Sequence, residues 1–148
     1  MYTYPNYITE NNNGDVVVSD FTRAVVVTER GGKYRFSYSG PTPESKLMPL
    51  GICTDPLSHI IVCAQVNIHM IDKDGQFLRY LPITSESKDK EIDDTYSLSY
   101  DVNTHRLWVG SQWTNTVRVY TYITKRNGKE DKNPQCPDDD EFVGASPS

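Results

Sequence analysis

Hydrophobic positions in this chain come in short runs of β-branched and aromatic residues, each cut off by a polar turn. Tyr7-Ile8-Thr9 stops at Asn11-Asn12-Asn13-Gly14, and Val16-Val17-Val18-Ser19 stops at Phe21-Thr22-Arg23. Ala24 to Thr28 stops at Arg30-Gly31-Gly32, and Lys33 to Tyr38 completes a unit of four predicted strands. Runs of this length between Asn/Gly turns are a strong hairpin signal. The unit then recurs. Ile52-Cys53-Thr54, His59 to Cys63, Ile68 to Ile71 and Gln76 to Leu81 repeat it, with turns at Asp55-Pro56-Leu57-Ser58 and Asp72-Lys73-Asp74-Gly75. A third copy begins at Thr95 with Tyr96 to Tyr100, continues with Leu107 to Ser111 and Thr116 to Ile123, and has no fourth strand after it.

Four strands repeating every ~40–50 residues is the pattern of a β-propeller blade. The predicted class is all-β: about three four-stranded antiparallel blades, half of a six-bladed ring, with the last blade lacking its outer strand. The expected blades span 4–40, 48–83 and 95–123. Residues 84–94 read as a solvated connection, and 124–148, rich in Pro, Gly and charge, as a flexible polar tail.

The phrases YPNYITENNNGDVVVSDF and PLGICTD, together with the glycine-polar-aromatic starts Gly32-Lys33-Tyr34 and Gly75-Gln76-Phe77, resemble NHL repeats. The likeness covers about residues 4 to 123 and is strongest to the C-terminal propeller of tripartite-motif NHL-repeat proteins. It implies a binding module that presents loops to a protein substrate of ubiquitin transfer, with RING, B-box and coiled-coil segments upstream in a full-length parent. The family's aspartate after the second strand is present as Asp20, while Ala64 and Ser111 stand near its two counterparts. Those two blades are expected to lack the hydrogen bond such an aspartate gives its neighbouring loop.

Composition narrows the function classes. The formal net charge is −5, and outside the tail eleven basic residues face fourteen acidic ones. That balance argues against a polyanion-binding face. Sixteen aromatic residues in so polar a chain suit half-buried sheets. Cys53, Cys63 and Cys136 show neither CxxC spacing nor an even count, so no disulfide framework or zinc module is readable. The N-terminus has no signal-peptide pattern and no apolar run is long enough to span a membrane, so a cytoplasmic setting without membrane contact is expected.

A search for chemistry finds little. His59 and His105 fall in turns, and His69 lies in a predicted strand without carboxylates at ligand spacing. Asp72-Lys73-Asp74-Gly75 starts like a calcium loop, but Ile83 stands where the twelfth-position glutamate would be. Glu10, Asp55 and Asp101 read as turn residues. The expectation is therefore a non-enzyme with no cofactor and no metal.

Strand direction locates the binding face instead. Loops into first strands and loops from second to third strands share one end of every blade. That end receives Tyr7, Phe21 and Arg23, then Gln65 and Asn67, then Tyr96, Gln112, Trp113 and Asn115. Aromatics, an arginine and amides on a rigid scaffold are what recognition surfaces use. A protein partner is expected. Single-stranded RNA, stacking on Phe21 and Trp113 with Arg23 as the cation, is the alternative. A calcium-dependent propeller hydrolase is a third class, and the open faces of a half-ring suggest pairing with a second copy.

Overall fold

The computed structural model describes residues 1–64, 67–81, 95–112 and 114–121, together with the backbone of short strands at 125–126, 129–130 and 141–144. Its first antiparallel sheet is β1 (Pro5–Glu10), β2 (Val16–Asp20), β3 (Ala24–Thr28) and β4 (Tyr34–Tyr38), paired in chain order. The second repeats that order with β5 (Pro49–Thr54), β6 (Ile60–Ala64), β7 (Asn67–Ile71) and β8 (Phe77–Leu81). The third holds β9 (Thr95–Asp101), β10 (Arg106–Ser111) and β11 (Thr116–Thr121). Among the described residues no fourth strand of this sheet follows β11 directly. Beyond a small hairpin of β12 (Lys125–Arg126) and β13 (Lys129–Glu130), β14 (Glu141–Gly144) pairs with the outer edge of β11. That segment falls within the tail of the sequence reading, where the acidic run before it hides a short strand.

The sheets stack face to face, and the alternation of side chains shows how. Along β6 every residue is buried. Ile60, Val62 and Ala64 pack with Val17, Val25 and Val27 of the first sheet. Ile61 and Cys63 turn the other way, onto Leu107, Val109 and Tyr120 of the third. A strand covered on both faces needs an unbroken apolar run, which is why the valine and isoleucine stretches do not alternate with polar residues. Cys53 and Cys63 are free and buried within this packing. Burial raises both thiols, Cys63 to about 12, so they act as small apolar groups.

The first sheet has one face with no blade against it. Ile8 is opposite Val18, which is opposite Val26, on the side away from the second sheet. On that sheet's edge strands Ile8 is 72% exposed and Tyr34 52%, whereas Val18 and Val26 at its centre are buried. An open blade face of this kind is what a partial ring leaves.

Turn chemistry locks the blades at one end. Asp55 is buried and accepts from the backbone N–H groups of Leu57 and His59 at 2.9 Å, while its other oxygen meets His59 Nδ1 at 2.8 Å. From the first sheet, the Asn11 and Asn12 side-chain amides donate to Ser58 O (3.0 Å) and Asp55 O (2.5 Å). Farther out, Arg35 bonds Asp15 on its own sheet and reaches Asp74 (2.8 Å) and Lys73 O (3.2 Å) on the next. Asp101 accepts from Asn103 N and Thr104 Oγ1. Asp55 lies in the turn after β5, whereas Asp101 and Glu10, expected in turns, are the last residues of β9 and β1. Glu10 forms an exposed ion pair with Arg30.

The first strands pack most tightly. A Cβ on Gly51 of β5 would lie 2.6 Å from Ser97 Cα and 2.7 Å from Tyr96 O of β9. Those are backbone atoms, so the strand has to move rather than a side chain. Gly51→Ala is expected to cost about 2–3 kcal/mol in urea unfolding. Gly31→Ala, where nothing stands within 4 Å of the added carbon, should stay within ~0.5 kcal/mol of the parent. Equal midpoints for the two variants would show that β5 and β9 are not in this contact.

Candidate functional site

The absence of a side chain at Gly51 shapes the end of the molecule where the predicted recognition residues lie. Tyr7 on β1 and Tyr96 on β9 belong to the first and third sheets. Their rings meet edge to face, with centroids 6.1 Å apart and an interplanar angle of 78°. Gly51 is the residue 44 positions after Tyr7, its counterpart in the repeat. A large side chain there would stand where β5 and β9 touch. Burial first, and then the hydrogen bond with Tyr96, push the Tyr7 hydroxyl up to about 12. Tyr7 is therefore neutral at physiological pH, and the pair offers two hydroxyls and two ring edges from strands, not from loops.

Asp20 organises the adjacent corner. It is fully buried and its two oxygens accept from the backbone N–H groups of Thr3 and Tyr4, each at 2.7 Å. Phe21 N donates to Tyr4 O at 3.0 Å, and the Tyr4 and Phe21 rings lie 6.5 Å apart. Arg23 Nη1 donates to Met1 O at 3.3 Å and to Thr3 Oγ1 at 3.5 Å. Phe21 and Arg23 are thus turned toward the chain's own first residues. Sequence reasoning missed Tyr4, whose only signal was an aromatic residue ahead of Pro5. In the second sheet Ala64 pairs with Pro49 as Asp20 pairs with Pro5, and a methyl group accepts no hydrogen bond.

The amides are spread along the same end. Asn67 opens β7 and is exposed. Gln112 and Asn115 flank the turn between β10 and β11, both exposed, Asn115 with φ 53°. Gln65 and Trp113 lie outside the described residues. Tyr7 and Tyr96 are the two candidates that the structure joins in direct ring contact. No group of three His, Cys, Asp or Glu side chains that could hold a metal ion occurs among the described residues.

No family model matches the chain, and no curated protein does. Solved structures do. One is a streptogramin B lyase: 17% identity, TM-score 0.62, covering 79% of this chain and 37% of the other. Another is a catalytically inactive virginiamycin B lyase from Staphylococcus aureus with quinupristin: 17% identity, TM-score 0.64, covering 86% and 40%. A third, a protein of unknown function from Bacteroides caccae, gives 14% identity and TM-score 0.57 over 96% and 46%. The lyases are six-bladed propeller proteins.

This chain is part of a β-propeller. It spans less than half the length of the structures it matches.

The comparisons correct one expectation. The sequence reading took the chain for a non-enzyme because no catalytic motif stands in it. Two of the propellers it resembles are lyases, so the lack of a motif in one stretch does not make the chain a non-enzyme. A propeller gathers its end-face residues from several blades, so contiguous sequence is a poor place to look for such a site. At 14–20% identity the likeness is one of fold, and activity has to be argued from residues.

Removing the Asp20 carboxylate should take the acceptor away from the Thr3 and Tyr4 N–H groups. Asp20→Ala is expected to lose about 1–3 kcal/mol of stability and to speed amide exchange at Thr3 and Tyr4. Unchanged protection of those two amides would show that the corner is held some other way.

Proposed function

We propose that this chain is the recognition part of a propeller, and that the end carrying Tyr7 and Tyr96 binds an extended peptide segment of a protein partner. The observation that carries this is the Tyr7–Tyr96 contact between the first and third sheets. Tyrosines held by strands lose little side-chain freedom on binding, and each combines an apolar ring with a hydroxyl. Asn67, Gln112 and Asn115 supply exposed amides at the same end for a peptide backbone. On the tripartite-motif likeness, the partner would be a protein selected for ubiquitin transfer by other domains of a longer chain. The RNA alternative has less support, because Arg23, its evident cation, already bonds the chain's own N-terminal segment.

The lyase neighbours favour a second reading in which a ligand held at this end also reacts. Recognition at Tyr7 and Tyr96 is common to both. Loss of quinupristin on incubation with this chain, abolished by Tyr96→Phe, would establish the second reading. Persistence of quinupristin leaves binding as the function under test.

Selection from a phage-displayed random peptide library tests the first reading. Selected peptides should lose about thirtyfold in affinity on Tyr96→Ala, the scale of a ~2 kcal/mol anchor residue. Tyr34→Ala, on the open face of the first sheet, should leave them unchanged. Peptides that depend on Tyr34 and ignore Tyr96 would contradict the assignment and point to the blade face.

A further inference from the structure

The connection from Ser39 to Met48 carries the chain from β4 to β5 and lies over β7 and β8 of the second sheet. That connection is a built turn. Leu47 N donates to Ser39 O at 3.2 Å and Ser45 N to Thr42 O at 3.0 Å. At Gly40, with φ 123°, an added Cβ would collide with the Ser45 side chain. Under the turn lies a cavity of about 230 Å³, bordered by Lys46, Leu47, Met48, Asn67, His69 and Tyr80. Neither Tyr7 nor Tyr96 borders it, although Asn67 lies at the edge of both sites.

His69 is the chemical centre of this cavity. It is 6% exposed, with Tyr38, Phe77 and Tyr80 edge-on around it at 5.9, 6.0 and 4.9 Å. The Tyr38 hydroxyl lies 2.8 Å from His69 Nδ1. Tyr38 is itself 4% exposed, so its O–H requires an acceptor, and Nδ1 is the one it is given. Hydrogen accounting therefore makes Tyr38 the donor and puts the ring proton on Nε2. Burial lowers the imidazole pKa to about 4, so the ring stays neutral at pH 7 and keeps that proton as a donor. Among the described residues, Lys46 is the one charged residue on the cavity wall, and no acidic side chain borders it.

We propose that this cavity binds a small carboxylate. Its oxygens take hydrogen bonds from His69 Nε2, the Asn67 amide and the Tyr80 hydroxyl under the charge of Lys46, and its apolar body lies on Leu47 and Met48. Three neutral donors and one ammonium group suit a single negative charge, and the apolar wall selects against a fully hydrated anion. The volume is below the ~300–1,000 Å³ of sites for drug-sized ligands, which limits the ligand to a compact acid.

Titration with benzoate, followed through the His69 ring nitrogens by NMR, tests this, with inorganic phosphate and benzyl alcohol as parallel probes. Benzoate should give a saturable shift at Nε2, with affinity about tenfold lower in Lys46→Ala, the scale of one charge-assisted contact. Asn67→Ala should weaken it as well. Both residues are exposed, so neither variant disturbs the core. The proposal fails if benzoate gives no saturable shift at His69, or if benzyl alcohol or phosphate binds as tightly. It also fails if neither variant changes the affinity. Tyr96→Ala should leave the titration unaltered, so this site and the peptide site can fail independently.

Discussion

The close approach of β5 and β9 at Gly51 is the constraint on which the rest depends. A blade cannot bury both of its faces alone, so each sheet gains stability only by lying against another. The apolar runs supply the attraction, but apolar side chains would also hold two first strands a residue's width apart. Leaving out the side chain at one position lets backbone meet backbone. The sheets then close in at the first strands.

Both functional features depend on stacked sheets. At the first strands Tyr7 and Tyr96 come from strands nearly ninety residues apart in sequence and meet across the position of the missing side chain. Over β7 and β8 the turn from Ser39 to Met48 roofs a cavity beside His69. The opposite end of the blades carries bonds between the sheets. Asn11, Asn12 and Arg35 each join the first sheet to a turn of the second.

Strands, turns and repeat were readable in the sequence because each rests on local chemistry. Valine and isoleucine runs signal strands covered on both sides, and Asn11 to Gly14 or Asp72 to Gly75 can hardly be anything but turns. Asp20 was readable only through the resemblance to NHL repeats, which implies a loop-bracing aspartate at that position. The site was not. Nothing local in Tyr7 names Tyr96 as its neighbour, and Gly51 looks like any strand glycine until β9 is placed against it. Arg23 was read as the evident cation of the shared face, whereas Asp20 holds the first residues where the guanidinium can reach them. His69 was read as a strand residue without ligand spacing; it is buried, and its significance depends on Tyr38, from another sheet, deciding where the ring proton goes. Catalysis was dismissed on the lack of a motif, a criterion blind to sites assembled from several blades.

The convergence of the first strands can be seen directly in solution. Proton–proton nuclear Overhauser contacts between the Tyr7 and Tyr96 rings, on protein with these two residues selectively labelled, report whether the rings meet. Rings with centroids 6.1 Å apart in an edge-to-face contact should give strong cross-peaks that vanish in Gly51→Ala. Their absence from the parent protein, with both tyrosines resolved and the sheets intact, would contradict the account.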